Sequence, residues 1–265
     1  MMKKWAALAM CMAAAVNAAI AGRPCEDAPQ TTAQVERGMN LAQATAAQLD
    51  ATGATVAILA RAGQDLSKYG LNWSHLGFVY RDEADGRPVW RVLHKLNLCG
   101  TARGELFRQG LGEFFLDRPQ RYDATFVVLK PALQAALLPL LRDNARARAL
   151  HEPRYNMLAY PWATSYQQSN QWVLETLASV SADPPLTRRS AAQAWLKAQG
   201  YQPSDIRLST AERLGARLTR ANIAFDDHPM GQRLAGHIET ATVDSMLVWL
   251  PRAGLSEDPI LVRQP

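Results

Sequence analysis

The chain has 265 residues, 48% of them hydrophobic, enough to enclose one large core. Its 29 Lys and Arg face 24 Asp and Glu. Two of the cations fall in an expected leader, and the near balance that remains excludes nucleic-acid binding by bulk charge.

Residues 1–21 read as a secretory signal. Lys3 and Lys4 give a positive start, an alanine-rich apolar run follows, and Ala19-Ile20-Ala21 supplies a small-x-small cleavage pattern before Gly22. The run is too short for a permanent membrane span. Met10 is too bulky for Leu8-Ala9-Met10-Cys11 to serve as a lipoprotein acylation site. The mature chain, residues 22–265, is therefore expected to be secreted into the periplasm as a single α+β domain. Cys11 leaves with the leader, so Cys25 and Cys99 remain, an even pair in an oxidising compartment, and a disulfide is the first expectation. The rival is Cys99 as a thiol nucleophile close to His94, which a disulfide would silence.

Residues 31–50 read as a helix capped by Thr31, with Val35, Met39, Ala42, Ala46 and Leu49 as its packing stripe. A strand is expected over 55–60. Two alternating runs, 75–81 and 89–96, flank an Asp85-Gly86 turn signal and predict a β-hairpin. If Tyr80 lies opposite Val89, His75 lies directly opposite His94, roughly 5 Å apart between Cβ atoms. A tight turn centred on Asp85-Gly86 makes them diagonal neighbours on one face, and a slip of one residue separates them. A lone strand histidine is usually a hydrogen-bonded structural residue, and His94 taken alone reads that way, whereas the structural reading is weaker for His75. Gly77, on the same face, leaves room for a close approach.

Residues 97–115, with Gly100, Gly104, Gly110 and Gly112, read as a wrapping loop with short helical turns. A strand over 125–129 and a leucine-rich helix over 132–149 follow. Ser165 with Gln168 has capping-box spacing, so a helix is expected to start there, with Ser169, Val173 and Leu177 on its inward stripe. The positive end of that helix would stabilise a developing anion at Ser169. The alternative is a serine that hydrogen-bonds the helix start. A helix is expected over 190–199, ending at Gly200, and strands over 222–225 and 237–250 with a polar Asp226-Asp227-His228-Pro229 turn between them. There is no G-x-S-x-G elbow, H-E-x-x-H helix, P-loop or paired C-x-x-C. No cofactor and no metal is expected. A metal held by His75, His94 and Asp227 or His228 has poor ligand spacing.

The runs LNWSHLGFVYRD, WRVLHKLNLCGT, FRQGLGEFF, YNMLAYPWATSYQQSNQWVLE and FDDHP resemble an exported bacterial family, domain of unknown function 2145. More remotely, a histidine-glycine strand, a polar second strand and a later nucleophile helix are similar to the circularly permuted, NlpC-type branch of the papain-like superfamily. That resemblance implies an α+β fold with an antiparallel sheet packed against a nucleophile-bearing helix, flanked by N-terminal and C-terminal helical additions. By it, His75 matches the general base, His94 the residue that orients it, and Ser169 stands where the pattern expects cysteine. The leading expectation is an exported papain-like hydrolase or acyltransferase acting on an amide or ester bond, with cell-wall peptide or an acyl group as substrate. The alternative is a non-catalytic periplasmic binding protein that keeps the cleft. Trp73, Tyr160, Trp162, Asn170, Gln171 and Trp172 are the expected substrate-binding residues in either case.

Overall fold

The computed structural model describes residues 29–264. The expected leader and Cys25 lie outside them. In chain order the elements are α1 (Thr32–Thr52), β1 (Val56–Arg61), β2 (His75–Ala84), β3 (Arg87–Asn97), β4 (Gly104–Gly110), α2 (Leu111–Phe115), β5 (Asp123–Val128), α3 (Pro131–Arg142) and α4 (Asn144–Ala147). After a long irregular stretch come α5 (Ser169–Ser181), α6 (Arg189–Ala198), β6 (Ser204–Arg207), α7 (Thr210–Thr219), α8 (Met230–Leu234), β7 (His237–Thr240), α9 (Val243–Arg252) and β8 (Ile260–Arg263). The architecture is α+β. Six antiparallel strands form one sheet in the order β4-β3-β2-β1-β5-β8, and β6 pairs with β7 in a separate ribbon.

Both faces of the large sheet are covered, and strand alternation decides which side chain meets which cover. Ala57, Leu59, Val79 and Val92 pack under α1 and α2 against Leu41, Leu49, Phe114 and Phe115. Ile58, Leu76, Phe78 and Leu93 pack under α3 and α5 against Leu137, Leu141, Trp172 and Leu177. Two-sided burial explains why β1 is apolar from Val56 to Ala60 instead of alternating. No helix among the described residues is long and apolar enough to cross a membrane.

Several elements differ from the sequence-based expectations. The buried stripe of α1 is Gly38, Leu41, Ala42, Thr45 and Leu49, while Val35 and Met39 are exposed. The expected loop over 97–115 holds β4, which extends the hairpin by pairing with β3 from Arg91 to Asn97. Gly104 and Gly110 mark the ends of that strand, and α2 is a short helical turn of the kind expected there. Asp143 divides the expected long helix, its carboxylate accepting from Ala145 N and Arg146 N to start α4. The strand expected over 237–250 ends at Thr240, because Thr242 and Ser245 form a capping box that opens α9. Residues 222–225 are not a strand, and β6 and α7 had no counterpart in the expectations.

Candidate functional site

The hairpin that carries both histidines closes through Asp85 and Gly86, with φ of 51° and 73°. Positive φ at both central residues is the geometry that matches strand twist across a two-residue loop. Ala84 therefore pairs with Arg87 and Phe78 with Leu93, the tight-turn register. His75 and His94 are diagonal neighbours. A Cβ placed on Gly77 would lie 2.7 Å from His94 Cβ, so the bare glycine is what admits the second imidazole.

His75 Nε2 and His94 Nδ1 stand 2.8 Å apart, sharing one proton between them. Phe114 packs on both rings, at centroid distances of 6.1 and 5.3 Å. Arg61, the cross-strand partner of His75, lays its guanidinium 4.5 Å above the same phenyl ring, donates to Phe114 O and pairs with Asp117. His94 is fully buried. Burial, and next the Arg61 cation, push its pKa down to about 3, with Gln109 pulling the other way. It is a neutral ring at neutral pH, fit to orient its half-buried partner.

Ser169 stands elsewhere. It opens α5 directly after Gln168, whose side chain accepts from Asn170 N, so the cap is Gln168 and not Ser165. The helix covers the opposite face of the sheet, with Trp172 edge-on to Phe78 at 5.7 Å. There Ser169 Oγ meets Tyr155 Oη at 3.3 Å, and the hydrogen bonds among the described residues join it to neither histidine. The expected triad is thus divided by the sheet. Its base and orienter lie under α1 and α2, and its hydroxyl lies under α5.

The family model described as "Uncharacterized protein conserved in bacteria (DUF2145)" matches residues 48–250. The chain belongs to that family. Within the matched region lie the histidine hairpin, Phe114, the α5 start and most of α9. No curated protein and no solved structure matches the chain.

On the same face, next to the start of α5, this family member holds a buried ionic network that sequence reasoning missed. Lys95 follows His94 and so points to the α5 face, where its ammonium donates to Glu152 O and, at 2.9 Å, to Gln167 Oε1. Gln167 Nε2 donates in turn to Glu175 at 2.6 Å, and Glu175 is bound by Arg189 at 2.7 Å and by Gln193 at 2.7 Å. Burial, then the Arg189 charge, lower the Lys95 pKa to about 7. One signal was available. A lysine inside the apolar alternation of β3 and a glutamate inside Val173–Ala178 both occupy inward positions.

The expected binding residues each have a structural partner. Trp172 is fully buried. Trp73 lies beneath Arg121, 5.5 Å from its ring, and Trp162 contacts Tyr201 and Lys197. The Tyr160 ring lies tilted against His228, with centroids 5.2 Å apart. Asn170 donates to Ala241 O and Gln171 to Glu175. His228 is engaged by Asp227 and Glu239 O and does not join the histidine pair, and no group of three or more His, Cys, Asp or Glu among the described residues is placed to hold a metal.

Proposed function

We propose that this protein is a non-catalytic binding module of the bacterial envelope, exported through residues 1–21 and derived from a papain-like, NlpC-type ancestor. One observation carries the reading: Ser169 faces Tyr155 on the side of the sheet opposite His75 and His94. A nucleophile must lie within hydrogen-bond reach of its base, about 3 Å, and loosening in an empty site does not span a sheet. Cell-wall peptide is the ligand class that export and ancestry favour. The test is reaction with a serine-directed fluorophosphonate, beside retention on isolated peptidoglycan. The expectation is no labelling of the wild type, with equal retention of wild type and Ser169→Ala. Labelling that disappears in Ser169→Ala would overturn it.

The histidine pair supports a second reading, an amide or ester hydrolase or acyltransferase in which His75 is the base and His94 its orienter. The 2.8 Å contact between the rings favours it. This reading requires a nucleophile other than Ser169. Hydrolysis of amide and ester substrates that survives Ser169→Ala and fails in His75→Ala would establish it. Cys99 follows β3, and its pairing with Cys25 is part of the proposal; thiol titration of the native chain, finding no reactive sulfhydryl, is the expected outcome.

A further inference from the structure

On the α1 side of the sheet, where its last strand meets the start of the first helix, lies an open basin of about 530 Å³. Arg37 comes to it from α1, Arg121, Tyr122 and Asp123 from the approach to β5, and Arg263 from β8. Three guanidiniums and one carboxylate line it. Arg121 matches that carboxylate, with Nε 3.2 Å from Asp123 Oδ1, and also donates to Asn72 O. Arg263 is the cross-strand neighbour of Asp123 but forms no ion pair with it among the described residues. Among the described residues, two cations of the basin are therefore left without a carboxylate.

Arg37 is held ready. Its guanidinium lies 4.3 Å above the Tyr122 ring, Nε donates to Ala33 O, and Gln264 Nε2 fixes the Arg37 carbonyl at 2.6 Å. A stacked guanidinium keeps its terminal N–H groups in plane and aimed past the ring edge, which suits bidentate contact with an oxyanion. The positive end of the 21-residue α1 adds a favourable field, and its capping box already engages Gln34 N and Thr31 N. One exposed ion pair contributes little, so affinity here demands a ligand that engages both cations at once.

We propose that this basin binds a small multivalent oxyanion, with two or more adjacent phosphate or carboxylate groups bridging Arg37 and Arg263. The site is remote from the buried network at the start of α5 and stands whether or not the histidine pair turns over a substrate. Its test is isothermal titration of the full chain with pyrophosphate, citrate and acetate at matched ionic strength. Wild type, the double variant Arg37→Gln with Arg263→Gln, and Arg87→Gln in the exposed hairpin turn are compared. The proposal expects saturable binding of pyrophosphate or citrate, roughly tenfold weaker in the double variant and unchanged in Arg87→Gln. The tighter of the two anions tells phosphate from carboxylate. In unsubstituted protein, the bound anion should also shield Arg37 and Arg263 from phenylglyoxal, read by peptide mass. No saturable binding up to about 10 mM, acetate binding as well as the multivalent anions, equal affinity in the double variant, or no shielding would each overturn it.

Discussion

His75 reaches His94 only because residue 77 has no side chain. The rings approach to 2.8 Å between Nε2 and Nδ1 along a diagonal of the hairpin, and the space between their strands is closed on the remaining side by Val92 Cγ1 and Leu93 O, 2.9 and 3.0 Å from where a Gly77 Cβ would stand. The shape of the site is thus set by an absence, and its chemistry by the two rings that use it.

Gly77→Ala should therefore destabilise the protein by about 1–3 kcal/mol, since backbone and a β-carbon cannot move aside as a flexible side chain would. Gly215→Ala is the contrast. That glycine lies inside α7 with nothing within 4 Å of an added Cβ, so the substitution should stabilise by about 0.5–1 kcal/mol. Urea denaturation of both variants reads the two signs, and the imidazole NMR signals of His94 should move in the first variant alone.

His94 makes the fold acid-sensitive. Its pKa is about 3 when folded and near 6.5 when exposed, so below pH 6.5 the unfolded chain binds a proton that the folded chain refuses. Stability is complete above pH 6.5 and is lost as pH falls toward 3. Between pH 7 and pH 4.5 the wild type should lose about 2–3 kcal/mol more than His94→Gln does. Parallel curves for the two proteins would show that the ring is not held neutral.

The hairpin was legible because its signals are local. Asp85-Gly86 and two alternating strands leave few registers, and the one observed was among those expected. What the alternation of β2 and β3 could not reveal is which helix covers which face. A sheet buried on both sides presents apolar residues everywhere, so inward is ambiguous, and Ser169 and His75 each face inward toward different layers. Glycines 104 and 110 were read as loop punctuation when they bound β4. At Gly104 the cause is again a close approach, since a Cβ would meet Lys95 Cε and Tyr155 Cδ2 at 2.8 Å.

Lys95 gives the pH response a second limb. Its folded pKa of about 7 lies below the usual 10.5, so between those values the unfolded chain carries a proton that the folded chain has shed. Stability from this group rises with pH through that window, and below pH 7 the cost of burying the ammonium is present in full. From pH 7 to pH 9 the wild type should gain about 2 kcal/mol relative to Lys95→Met, measured by urea denaturation. A gain of the same size in Lys95→Met would assign the rise to other groups.

Glu175 ties the start of α5 to α6 and to the irregular chain before it. Its carboxylate is fully buried and takes hydrogen bonds from Gln167, Gln171, Arg189 and Gln193, while Arg189 also donates to Thr164 O and Tyr166 O. Removing the cation alone leaves an anion in a dry interior, so Arg189→Met should cost about 3–5 kcal/mol. Replacing both groups removes that stranded charge, and Glu175→Leu with Arg189→Met should cost less than the single substitution, although three amide donors then lose an acceptor. The double variant should nevertheless have a displaced α5 start, because the Gln167 amide that accepts from Lys95 and donates to Leu150 O loses its third anchor, Glu175. Hydrogen exchange at residues 164–172 reads that displacement separately from global stability. Faster exchange in the double variant with near wild-type denaturation would place the role of Glu175 in positioning this segment, and unchanged exchange would reduce it to an ion pair that only balances its own burial.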